Sequence, residues 1–138
     1  MSERSTGSAN GFFAGLRFII VEDEWVIALM IESVLRGAGA EVAGIAGNVA
    51  EALGLIEAVG FDAAILDANL GGETAAPVAR VLRERDVPFA VVSGYNRDQR
   101  IGPLADAPFV SKPFSPPTLL MAIRSLGHSA RLKPAANA

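Results

Sequence analysis

Five short apolar runs, each followed by a stretch of different character, constrain this chain more than any other feature. The runs are Arg17–Val21 (RFIIV), Glu41–Ala46 (EVAGIA), Phe61–Leu66 (FDAAIL), Pro88–Val92 (PFAVV) and Phe109–Ser111 (FVS). Their β-branched and aromatic content reads as strand. After the first run, Val26, Leu29, Met30, Val34 and Leu35 recur at helical spacing, which predicts a helix over Trp25–Arg36 with these residues on its buried face. Asn48 is placed to cap a helix over Val49–Val59. A third helix is expected over about Ala75–Arg85, and Ser115-Pro116 opens a last one that ends at Leu126, with Ser as cap and Pro in the first turn. Strands alternating with helices are joined by right-handed crossovers into a parallel sheet covered on both faces. The unbroken apolar PFAVV run fits such a doubly covered strand.

The pattern weakens in two places. Between the fourth and fifth runs, Asn96–Ala107 contains Gly102 and Pro103, which leaves only Arg97–Ile101 for a helical turn or two, so this fourth helix is expected to be short and irregular. Gly44 interrupts the second run. At the start, Met1–Asn10 is rich in Ser and Gly, and Phe12, Phe13 and Leu16 form a small apolar cluster expected to lie on the domain as a short turn. Trp25 is expected to pack at the start of the first helix. The expected organisation is a flexible extension over 1–16, one domain over 17–126, and a loose tail over 127–138 that carries the lone His128.

A chain of 138 residues with 51% hydrophobic content is long and apolar enough for one domain with a real core. The net charge of -3 and the lack of a Lys/Arg cluster argue against nucleic acid as a primary ligand. With no Cys, disulfide frameworks, thiolate nucleophiles and zinc-thiolate sites are all excluded. The longest apolar stretches are broken by Glu, Arg or Gly, so no membrane insertion is expected. The N-terminus lacks a basic-then-apolar signal pattern. A cytoplasmic location is the expectation.

The chemistry-bearing residues close the strand-like runs. Glu22 and Asp23 follow the first, Asp67 the third, Ser93 the fourth and Lys112 the fifth. In a parallel sheet, ligands bind beyond the C-terminal ends of the strands, where all five would meet. Taken singly, each is ordinary: an acid cluster at a helix start, a loop-capping Asp, a Ser-Gly turn. Together they suit a magnesium-assisted phosphoryl acceptor. A carboxylate attacks phosphorus poorly unless the repulsion between anions is removed, and a hard divalent cation held by a few carboxylates does this. Asp23 and Asp67 would bind Mg2+ directly, Glu22 mainly through water, and the backbone carbonyl of Asn69 would complete the set. Lys112 would meet the incoming phosphoryl oxygens and Ser93 would donate a hydrogen bond to one of them.

These residues resemble the receiver domain of two-component response regulators: an acidic pair after the first strand, the acceptor after the third, Ser or Thr after the fourth, and Lys-Pro after the fifth (Lys112-Pro113). The resemblance covers about Arg17 to Leu126. It implies an α/β, flavodoxin-like (βα)5 fold, a doubly wound five-stranded parallel sheet of strand order 2-1-3-4-5, with Asp67, Ser93 and Lys112 as catalytic residues. It further implies a switch involving Ser93, Tyr95 and Phe109, a cis Lys112-Pro113 bond, and a sensor histidine kinase or phosphotransfer protein as partner, with an unknown protein downstream. Pro88–Tyr95 (PFAVVSGY), with Leu66–Glu73, is similar to the signature of a group of single-domain regulators of alphaproteobacteria nicknamed FAT GUY, although Val92 and Ser93 stand where that signature has Ala and Thr.

The implied function is a single-domain regulator of a phosphorelay, which assists its own phosphorylation and dephosphorylation but is not an enzyme acting on other molecules. Two alternatives stand beside it. One is a receiver-like interaction module that is never phosphorylated. The other is a magnesium-dependent phosphohydrolase with Asp67 as nucleophile; such enzymes place a second acid two residues on, where this chain has Asn69.

Overall fold

In the computed structural model, which describes residues 13–94 and 102–126, the strand-like runs form one parallel sheet. Its strands are β1 (Arg17–Val21), β2 (Glu41–Ala46), β3 (Ala63–Asp67), β4 (Phe89–Ser93) and β5 (Phe109–Ser111). They lie in the order β2-β1-β3-β4-β5, which is the expected doubly wound α/β arrangement. The helices are α1 (Trp25–Gly37), α2 (Val49–Ala58), α3 (Ala76–Glu84) and α4 (Pro116–Leu126). β3 and β4 each extend one residue beyond their expected ends, because the ladder continues past them: the Ala68 N–H donates to Val92 O at 2.8 Å and the Lys112 N–H to Ser93 O at 2.7 Å. Asp67 and Ser93 are therefore the last residues of strands.

Alternation along the strands divides the core between two faces. Ile19, Val21, Ala64, Leu66, Phe89 and Val91 face α2 and α3. Phe18, Ile20, Ala63, Ile65, Ala90 and Val92 face α1 and α4. Two of the helices, α2 and α4, are started by side-chain caps. Asn48 Oδ1 accepts from the Glu51 N–H at 2.8 Å while Glu51 Oε1 accepts from the Gly47 N–H at 2.8 Å, a reciprocal cap that contributes about 1 kcal/mol. Ser115 Oγ accepts from the Thr118 N–H at the start of α4.

α1 is oriented differently from the sequence expectation. Its buried residues are Ala28, Ile31 and Leu35, with Ile27 and Val34 partly covered. Val26 is 72% exposed and Trp25 67%, and Leu29 and Met30 are exposed too. The reason is visible in the sequence: Trp25–Ile31 is apolar at every position, so a 3.6-residue period selects no single stripe. The sheet takes the stripe that begins with the small Ala28, and the expectation that Trp25 packs down is not met.

At the N-terminal side, Phe13 and Leu16 are buried against the α1/α4 face. The Phe13 N–H donates to Ala38 O at 3.2 Å, and its ring meets Phe18 edge-on at 5.9 Å. In β2, partnering moves from Phe18↔Val42 to Ile19↔Gly44, so Ala43 is an inserted bulge. A Cβ on Gly44 would stand 2.6 Å from Leu55 Cδ1, so α2 uses this gap to approach the strand. Of the expected fourth helix, Gly102–Leu104 forms a single 3-10 turn. Its earlier part, with Tyr95, lies outside the described residues, as do Phe12 and His128. Among the described residues, no helix is long and apolar enough to cross a membrane.

Candidate functional site

The sheet brings four strand-end residues to its C-terminal edge. Glu22 directly follows β1 and its N–H is held by Ala46 O at 2.9 Å. Asp67 and Ser93 end β3 and β4, and Lys112 directly follows β5. Register places them side by side, with Asp67 opposite Val92 and Ser93 opposite Ser111. Glu22 is 2% exposed, Asp67 4% and Ser93 0%. Charged side chains this deep require partners.

Lys112 supplies the partner. Its Nζ donates to Asp67 Oδ2 at 3.0 Å and to Glu22 Oε2 at 3.1 Å. Two carboxylates thus share one ammonium. Asp67 Oδ1 accepts from the Asn69 N–H at 3.1 Å, and Glu22 Oε2 also accepts from the Glu24 N–H at 3.0 Å. The Lys112–Pro113 bond is cis, as expected. Asp23, exposed at the rim, completes a group in which one oxygen each from Glu22, Asp23 and Asp67 lies within 4.8 Å of the others.

The electrostatics follow from this crowding. Burial, reinforced by the neighbouring Asp67 charge, pushes the Glu22 carboxyl up to about 7, against the opposing Glu24 N–H and Lys112. Burial also raises Asp67, although the Asn69 N–H and Lys112 both favour its ionised form. For Lys112 burial acts downward, but hydrogen bonding and charge attraction to Asp67, then Glu22, outweigh it, so its ammonium is held above the usual lysine range. The site binds positive charge and has less of it than its carboxylates can use.

Glu22 Oε1 is buried and has no hydrogen-bond partner among the described residues, a condition normally corrected by water or an ion. Three carboxylates that converge beside one ammonium, with hard oxygen donors and no thiolate or imidazole, fit a magnesium ion.

The loop after β3, a Gly-rich turn in the sequence, is a short hairpin. Asn69–Leu70 and Glu73–Thr74 pair as a two-residue antiparallel hairpin. Its turn residues Gly71 and Gly72 have φ of 64° and 94°, where side chains with a Cβ are strained. Asn69 Oδ1 accepts from the Gly72 N–H at 2.7 Å and so fixes the turn. The Gly-Gly pair after an Asn was the available signal. Phe109 is partly buried against the α2/α3 core, and Tyr95 lies outside the described residues.

The model of the response regulator receiver domain matches residues 18–124, and the chain belongs to that family. Receiver domains of two-component systems are signalling modules that bind Mg2+ at an acidic pocket and work with histidine kinases or phosphotransfer proteins. Among solved structures, the solution structure of SdrG from Sphingomonas melonis Fr1 is 40% identical with a TM-score of 0.72, over 80% of this chain and 95% of that one. SdrG in its BeF3-activated conformation, from Pseudomonas melonis Fr1, is likewise 40% identical, with a TM-score of 0.69 over 82% of this chain and 97% of that one. TrrA from Thermotoga maritima, solved in complex with Mg(2+)-BeF, is 26% identical with a TM-score of 0.70, over 80% of this chain and 98% of that one. No curated protein sequence matches the chain.

Proposed function

We propose that this protein is a single-domain response regulator of a phosphorelay that accepts a phosphoryl group on Asp67 from a histidine kinase or phosphotransfer protein. The observation that carries the reading is the shared ammonium: Lys112 Nζ lies 3.0 Å from Asp67 Oδ2 and 3.1 Å from Glu22 Oε2. Asp67 attacks phosphorus through a carboxylate oxygen, the donor's phosphorus–nitrogen bond breaks with its electron pair passing to nitrogen, and the imidazole, already protonated on its other ring nitrogen, leaves neutral. The Asn69 N–H orients the attacking carboxylate, and Lys112 turns from it to the phosphoryl oxygens as negative charge moves there. Ser93, at the adjoining strand end, donates to a phosphoryl oxygen. Glu22, Asp23, Asp67 and the Asn69 carbonyl would hold Mg2+, which relieves the repulsion between the two anions.

The exposed side chains of Trp25, Val26, Leu29 and Met30 support a protein donor. They begin two residues after Asp23, so they flank the approach to Asp67, and clustered apolar side chains at such a rim suit docking. Forty per cent identity to SdrG over 95% of its chain supports the stand-alone reading, and the PFAVVSGY run of Pro88–Tyr95 is what supports placement in the FAT GUY group. Output then runs by protein contact or by passing the phosphoryl group on.

The test is incubation with a small phosphodonor and magnesium, followed by intact-mass measurement. Wild type is expected to gain one phosphoryl group and Asp67→Ala none. A labelled Asp67→Ala protein, or full labelling in excess chelator, overturns the proposal.

A further inference from the structure

Arg83 lies near the end of α3 and is exposed. Its guanidinium is nevertheless engaged on three sides. Nε donates to Pro103 O at 2.7 Å, a terminal nitrogen donates to Ala105 O at 2.6 Å, and Cζ lies 5.0 Å from the centre of the Phe89 ring. Only arginine presents a rigid fork that can bond two carbonyls while lying over an aromatic face.

The bonded segment is short and irregular. Gly102–Leu104 is a single 3-10 turn, closed by the Ala105 N–H to Gly102 O at 3.1 Å. It is bracketed by left-handed residues, Gly102 at φ 57° and Asp106 at φ 73°, and Asp106 bears a Cβ that disfavours that conformation. Leu104 is buried in the same cluster as Leu82 of α3. Soon afterwards the Val91 N–H meets Pro108 O at 2.8 Å and β5 begins. Arg83 thus grips the chain just before the strand that carries Phe109 and leads to Lys112.

We propose that Arg83 is a clasp that joins α3 and residues 102–105 into one body, fixes the start of β5, and limits how far a change begun at Ser93 travels toward Phe109. It is a positioning residue, remote from the phosphoryl group. The part concerning Ser93 rests on the phosphoacceptor reading; the resting-state part does not.

The test is site-resolved amide hydrogen exchange on the full chain as wild type, Arg83→Ala and Arg83→Lys, with and without magnesium and beryllofluoride. Without them, Arg83→Ala is expected to speed exchange at Ala105 about tenfold or more, with Arg83→Lys between, because two charge-assisted hydrogen bonds are lost. Core amides of Ile20 and Ile65 stay within about threefold, since only a local opening is affected. Equal acceleration in the core and at Ala105, or none at Ala105, overturns the clasp. With beryllofluoride bound, exchange over 102–105 is expected to change in Arg83→Ala and not in wild type; the same response in both overturns the limiting role. Absence of a bound fluorine-19 signal overturns the phosphoacceptor reading, and the limiting role with it, while the resting-state comparison still decides the clasp.

Discussion

The two ends of the sheet treat charge in opposite ways. At the N-terminal end, Arg17 pairs with Glu41 at 3.6 Å, Arg85 with Glu57, and the Arg17 N–H with Asp62 Oδ2 at 2.8 Å. These ionic side chains are open to solvent, and water would satisfy them if the pairs broke. At the C-terminal end, Glu22 and Asp67 are buried on one ammonium, with an oxygen left over. Charge at an exposed strand start costs little and contributes little. Buried charge at the strand ends opposes folding, and under the proposed phosphoacceptor function it is kept because it poises the site for a cation and a phosphoryl group.

The sharpest way to break this contrast is to remove one cation from each end. Lys112→Met strands two buried carboxylates, and urea unfolding without magnesium at pH 8 is expected to show a loss of about 3 kcal/mol. The loss shrinks toward pH 5 as the carboxyls take up protons. Arg85→Ala, at the other end, is expected to stay within about 0.5 kcal/mol. Equal losses would erase the distinction.

Acid titration sharpens it next. Glu22 keeps its proton up to about pH 7 in the folded protein, against an ordinary value of 4.5. Between those values the native state binds more protons than the unfolded chain, so stability falls as pH rises through this window. Glu22→Gln is expected to flatten that fall, which is on the order of 1 to 3 kcal/mol, and saturating magnesium to offset it in wild type. A wild-type stability that rises from pH 4.5 to 7 would contradict the buried-acid picture.

The smallest stability effect belongs to α1. Trp25→Ser with Val26→Ser is expected to change unfolding free energy by less than about 0.5 kcal/mol, as exposed sites do. Labelling by a small phosphodonor is expected to be unchanged, whereas transfer from a phosphorylated histidine-containing phosphotransfer protein slows. Equal rates from the latter would remove α1 from the docking surface.

Strand positions were legible because each run is short, apolar and bounded by polar or breaking residues, so little but a covered strand fits. The acids and Lys112 were legible through their positions after those runs. The buried face of α1 was not, since Trp25–Ile31 carries no polar residue to mark the outside. Arg83 could not be found from sequence at all. Its acceptors are carbonyls twenty or more residues away, and backbone acceptors leave no trace in residue identity.

The bulge at Ala43 bears on how the sheet presents its edges to other chains. A parallel sheet has two open edges, each a template on which a foreign strand can grow. Here one edge, β2, breaks register at Ala43, and the other, β5, is three residues long between Pro108 and Pro113. Neither offers the long regular row of amides and carbonyls that cross-β growth requires.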